Sequence, residues 1–236
     1  TNTLAYSRDG LNWTGLGTTV FSTRGNAVTW NGVVFMAAGQ GTNTLAYSYN
    51  GITWTGLAYV LFSTAGNGVA WNGSMWVAVG QGGHSIGYSR NGISWTGNNN
   101  AVITAVGNAI TWTGQRWIAS GRGTNTLAHS FDGITWTGLG TSIFSSVTVG
   151  GRGLAGNNNG MGNLSVQHPS IVLGAGSSHT MALSLDGIQW TGLGLKTFST
   201  SGNGAVWNGT LWVAVGQGTN TLAYSRDGLN WTGLGT

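Results

Sequence analysis

The stretch Ser7-Arg8-Asp9-Gly10-Leu11-Asn12-Trp13 decides the fold, because it returns five times. It reads SYNGITW from Ser48, SRNGISW from Ser89, SFDGITW from Ser130, SLDGIQW from Ser184 and SRDGLNW from Ser225, at spacings of 41, 41, 41, 54 and 41 residues. A second motif runs from Trp71 as WNGSMWVAVGQG and recurs from Trp30, Trp112 and Trp207. A decayed copy, SVQHPSIVLGAG, spans Ser165 to Gly176 and carries His168. The extra 13 residues of the long interval fall in the Gly/Asn-rich stretch from Val147 to Gly162, which reads as a loop insertion at 147–162. Internal repetition at this period signals an array of supersecondary units.

Each unit resolves into four short strands, a to d, separated by turn chemistry. In the clean copy, strand a is expected at Gly68–Trp71 and strand b at Met75–Val79. Strand c is expected at Ser85–Ser89 and strand d at Ile93–Thr96. The Asn72-Gly73 pair between a and b suits a two-residue hairpin, since both residues adopt positive φ cheaply. Short strands at regular spacing, Gly at every corner and no helical periodicity predict an all-β propeller of four-stranded antiparallel blades. A parallel β-solenoid is the alternative, but its coils are usually shorter and lack hairpins. The boundaries follow: a terminal c–d hairpin at 1–22, then blade repeats at 23–63, 64–104, 105–146, 147–199 and 200–236.

The seven-residue segments resemble the Asp box of sialidase-type (BNR-like) propellers, and the full repeat is similar to propeller arrays of large DNA viruses and environmental sequences. The spacing departs from the commoner box by one residue. The resemblance implies a structural role for Asp9, Asn50, Asn91, Asp132, Asp186 and Asp227, whose side chains would accept backbone N–H bonds in a tight turn. It also implies that an active sialidase would need an arginine cluster and acidic partners for a catalytic tyrosine.

Composition sets the limits on chemistry. The chain has 236 residues, 44 Gly, 13 Trp and no Cys, and only 5% are charged, against roughly 25% in an average globular protein. Lack of cysteine removes disulfides, thiolate catalysis and Cys-ligated zinc. No apolar run is long enough for a membrane-spanning helix, so membrane insertion is not expected. The first residue is Thr1 and no signal peptide is visible, which suggests a processed or excerpted chain. The net charge of +4 comes from eight dispersed basic residues. Nucleic-acid binding needs a dense basic patch, so it is not expected either.

The carboxylates carry the strongest functional deduction. Asp9, Asp132, Asp186 and Asp227 are the only ones, and each sits in a repeated turn. Glycoside hydrolysis generally needs two carboxylates flanking one bond, and a Ser-His-acid triad needs a free acid. The expectation is therefore no enzyme, no metal and no cofactor. His84 and His179 align with Asn2, Asn43, Asn125 and Asn220 at the start of strand c, whereas His129 aligns with Tyr6, Tyr47, Tyr88 and Tyr224 as a packing ring.

Two functional readings remain. In an up-and-down blade the b–c and d–a connections share one face. The b–c corners there carry Gln40 and Asn43, Gln81 and His84, Arg122 and Asn125, His179, and Gln217 and Asn220. These flat hydrogen-bonding groups are the candidate sites for neutral glycans, in a lectin-like module whose repeated weak sites give avidity. The bland use of such residues is to satisfy backbone groups at corners. The alternative function is a scaffold of a virion, tail fibre or extracellular assembly, with a protein partner instead of a glycan. Either reading suits an extracellular or virion-surface location.

Blade number is ambiguous. Five a–b hairpins accompany six c–d hairpins, and residues 1–18 are identical to residues 219–236. Closure by inner strands favours five blades, with the two 18-mers competing for one position. Six blades, one completed in trans, is the alternative. Either case leaves room for strand exchange through the terminal hairpins.

Overall fold

The computed structural model describes residues 2–58, 61–98, 102–145, 150–156, 172–176 and 178–236. His168 and most of the expected insertion at 147–162 lie outside them, but within that stretch Gly153–Gly156 is a strand rather than loop, paired with Val172–Ala175. Among the described residues every regular element is a β-strand. The chain divides into two compact units, Thr1–Ala101 and Val102–Thr236.

The first unit opens with a hairpin of β1 (Ala5–Tyr6) and β2 (Thr14–Gly15). A four-stranded meander follows: β3 (Arg24–Trp30), β4 (Phe35–Gln40), β5 (Leu45–Ser48) and β6 (Thr55–Gly56). A second meander holds β7 (Phe62–Trp71), β8 (Trp76–Gly83), β9 (Ile86–Ser89) and β10 (Thr96–Gly97). The second unit contains three more. The first is β11 (Val106–Trp112), β12 (Trp117–Arg122), β13 (Leu127–Ser130) and β14 (Thr137–Gly138). The next is β15 (Gly153–Gly156), β16 (Val172–Ala175), β17 (Ala182–Ser184) and β18 (Trp190–Gly192). The last is β19 (Ser201–Trp207), β20 (Trp212–Gln217), β21 (Leu222–Ser225) and β22 (Thr232–Gly233).

The a–b hairpin corrects the expected two-residue turn. Trp71 pairs with Trp76, so four residues intervene, and only Gly73 takes positive φ, at 100°. Asn72 acts through its side chain: Oδ1 accepts the Ser74 and Met75 amides at 2.9 and 2.7 Å. An Asx turn thus replaces the positive-φ Asn of a type I′ turn. The paired rings close the hairpin, at 4.9 Å for Trp71–Trp76, 5.1 Å for Trp112–Trp117 and 5.0 Å for Trp207–Trp212.

Strand a is longer than expected in the clean copy, starting at Phe62, and strand d is shorter and later, at Thr96–Gly97. Ile93 and Ser94 do not extend: their amides bond Asn91 Oδ1 at 2.9 and 2.8 Å. Strand a bulges at one shared place in four of the meanders, between Gly25/Ala27, Gly66/Gly68, Gly107/Ala109 and Gly202/Gly204, and β7 shifts register a second time between Phe62 and Ala65. At that shared place the extra residue is Asn every time, and Asn26, Asn108 and Asn203 each bond the neighbouring repeat. Asn26 Nδ2 donates to the Gly66 carbonyl at 2.7 Å in the first unit. In the second, Asn108 Nδ2 donates to the Gly151 carbonyl at 2.8 Å, and Asn203 Oδ1 accepts Arg152 Nη1 at 2.8 Å.

Strand b supplies the core. Met36, Ala38, Trp76 and Ala78 bury against Leu45, Leu61 and Phe62 in one cluster. Trp212 and Ala214 bury with Met181 and Phe198 in another. Trp76, Trp117 and Trp212 are fully enclosed, each the largest apolar surface its meander removes from water.

Candidate ligand-binding corners and cleft

The six Ser-x-Asp/Asn-Gly-x-x-Trp turns share one hydrogen-bond pattern. In the first, Ser7 Oγ donates to Asp9 Oδ1 and accepts the Gly10 amide, while Oδ1 accepts the Leu11 and Asn12 amides. Trp13 Nε1 closes the turn onto the Gly10 carbonyl at 3.1 Å. Asn50 accepts the equivalent amides at 2.9 and 2.8 Å, and Asp186 does so at 2.8 Å each. The turn therefore needs an acceptor oxygen, not a charge.

These bonds hold every carboxylate ionised. The backbone and side chain of Asn12 donate to Asp9 and keep it well below the usual carboxylate range, and Asn230 does the same for Asp227. Partial burial raises Asp132, but the Thr135 and Ile134 amides and Ser130 outweigh it, leaving a net lowering. Asp186 behaves likewise through Ile188, Gln189 and Ser184, with Arg116 adding attraction. A carboxylate so held is a poor proton donor near neutrality. Among the described residues no three His, Cys, Asp or Glu side chains gather as a metal site.

The predicted corner residues divide by use. Asn43 donates to the Val20 carbonyl at 2.7 Å and accepts the Ala58 amide at 2.8 Å. Asn125 spans Val102 and Gly140 in the same manner, and Asn220 spans Thr197 and Gly235. Each Asn clips the chain leaving strand d, and a Cβ on Gly56, Gly138 or Gly233 would collide with it. His179 takes the same place, its Nδ1 accepting the Gly194 amide at 3.0 Å. His84 Nδ1 lies 3.4 Å from the Asn98 carbonyl. Gln217 Oε1 accepts Ser201 Oγ at 3.1 Å, and Arg122 is engaged by its surroundings. Gln40 and Gln81 are half-buried, Gln40 at the end of β4 and Gln81 inside β8, paired with Ala65.

His129 packs edge-on to Phe131 at 6.1 Å, as Tyr47 packs on Tyr49 at 5.9 Å. Burial, together with the Arg116 guanidinium, pushes its pKa down. That guanidinium stacks over Phe131 at 4.7 Å.

Sequence reasoning missed a cleft in the second unit. Leu127, Leu139, Gly140, Ser142 and Ile143 form one wall, and Ile188, Gln189 and Trp190 the other, around about 210 Å³. Leu139 and Ile143 belong to the d–a connection that Asn125 clips, and Trp190 is the closing residue of the next turn. The half-buried Trp190 packs on the Leu127–Phe144–Ala182 cluster. The Leu that follows Thr-Gly in five of the six c–d hairpins and the Trp in each turn are both visible in the sequence, but the meeting of Leu139 and Trp190 across 51 residues is not.

No family model matches the chain, and no curated protein does. Solved structures do. Virginiamycin B lyase from Staphylococcus aureus, a β-propeller, is 10% identical, with 98% of this chain matched to 75% of that one and a TM-score of 0.76. A streptogramin B lyase structure is 8% identical, covering 97% of this chain and 74% of that one, again with a TM-score of 0.76. The computationally designed Ika8 protein is 13% identical, with a TM-score of 0.57 over 87% of this chain, which spans 59% of its length. Together with the antiparallel meanders, these likenesses make the chain an all-β propeller.

Proposed function

We propose that this β-propeller is a non-catalytic, lectin-like module that binds neutral glycans at the joints between its blades. The cleft at Leu139 and Trp190 carries the reading. It sets an indole beside the Gln189 amide and the Ser142 hydroxyl, which suits a sugar's apolar C–H face and its hydroxyls. Gln40 and Gln81 are the corner residues that extend the proposal to other blades. Asn43, Asn125, Asn220, His84 and His179 would support such a site by fixing the backbone behind it. The turns are read as Asp boxes that hold the blades, in a repeat of 41 residues with five blades.

The absence of catalysis is part of the proposal. All four carboxylates are spent in turns, and likeness to lyases at 8 and 10% identity carries the fold alone. A glycan array tests the proposal, with Trp190→Ala beside the native protein. A coherent class of neutral sugars, lost in the variant, is expected; no sugar retained, or binding indifferent to Trp190, would overturn it.

A further inference from the structure

Residues 1–18 and 219–236 are the same sequence in two environments. Both form the same hairpin, Ala5 against Gly15 and Ala223 against Gly233, and both carry the same turn. Each buries a different side. In 1–18, Leu4 packs on the Phe21–Ala37–Ala46 cluster of the following meander. The Thr3 carbonyl there lies so close to Gly25 that a Cβ at Gly25 would collide with it. Trp13, on the opposite side, is 66% exposed. In 219–236 the order is reversed: Trp231 packs on a cluster that joins Met181 and Leu183 of the preceding meander to Trp212 and Ala223 of its own, while Leu222 and Leu234 are 38% and 58% exposed. Where a meander follows within the same unit, the matching Leu45 and Leu127 are 0% and 2% exposed.

From this we infer that copies of the chain associate head to tail by hairpin exchange. Segment 219–236 of one copy seats on residues 20–56 of a second and displaces that copy's 1–18 hairpin. The receiving surface meets identical side chains and identical backbone, so the exchange gives up nothing on that side. It gains the covering of Leu222 and Leu234, which the resident hairpin cannot supply. The joint also resembles a swapped element, a low-cost route to assembly, and being heterologous it allows rings or chains. This inference stands on the two hairpins alone and is independent of the sugar reading.

Sedimentation velocity on the full chain over a wide concentration range is the test. The native protein should show a reversible rise in mass with concentration. Leu222→Arg and Leu234→Arg should each weaken association at least about tenfold, with thermal melts unchanged because both residues are exposed. Amide exchange in 1–18 should rise as the assembly forms. A native protein that stays monomeric throughout, association untouched by both substitutions, or a 1–18 hairpin that stays protected in the assembly would each overturn the inference.

Discussion

The ring of Phe62 lies against the α-carbon of Gly80, so close that a Cβ there would stand 2.6 Å from it. The pairing repeats as Phe21 on Gly39, Ile103 on Gly121 and Phe198 on Gly216. The first glycine of each Gly-Gln/Arg-Gly corner is thus required by packing, since Gly80 has no positive φ. Phe62 is fully buried among Met36, Leu45 and Trp76, so it has nowhere to retreat. Gly80→Ala should destabilise by about 1–3 kcal/mol, the usual cost of overpacking. Urea unfolding of the variant measures it.

Ala58 is the one described non-glycine residue at positive φ, 51°. The matching positions are Gly17, Gly140, Gly194 and Gly235, at φ values of 73°, 75°, 72° and 80°. An L-residue in the left-handed region costs roughly 1–2 kcal/mol, partly offset by the extra freedom glycine gives the unfolded chain. Ala58→Gly should raise stability by about 0.5–1 kcal/mol, seen as a higher melting temperature.

Asn43 joins Val20 and Ala58 through both ends of its amide. Removing it strands one carbonyl and one amide in a half-buried corner. Asn43→Ala should cost about 1–3 kcal/mol without any ligand present. A variant as stable as the native protein, but weaker in sugar binding, would return Asn43 to the ligand site.

The turns predict a specific acid response. Asp9, Asp132, Asp186 and Asp227 have folded-state pKa values lowered from 3.8. Their contribution is therefore complete above that value and lost as pH falls through the lower folded values. Replacing all four by Asn, which the turns at Asn50 and Asn91 already accept, should cost little at neutral pH and flatten the loss below pH about 4. Unfolding free energies measured from neutrality into acid check this; an unchanged acid limb would contradict it.

Much of the architecture was legible in the residues. Asn91 and Asp132 announced turns because their acceptor oxygens and the next glycine have few other uses together. Strand d was misread because Ile93 looks extended, yet its amide is taken by Asn91. The start of strand a was missed because Phe62–Asn67 is small, polar and Gly-containing, with no alternation to betray a strand. The bulge residues Asn26, Asn67, Asn108 and Asn203 recur in plain sight after glycine. Their role appears only when neighbouring repeats meet, as Asn26 meets Gly66. The corner set is a repeating position in the sequence, and at Asn43, Asn125 and Asn220 the side chain bonds the backbone. The cleft at Trp190 depends on residues far apart in sequence, which no local pattern encodes.

The most direct measurement is calorimetric titration of the native protein and of Trp190→Ala with a neutral oligosaccharide drawn from the array. The native protein should bind saturably, with affinity lowered about tenfold or more when the indole is removed from the Leu139–Trp190 cleft, and with no turnover of the sugar. Equal affinity in both proteins, or consumption of the oligosaccharide during the titration, would contradict it.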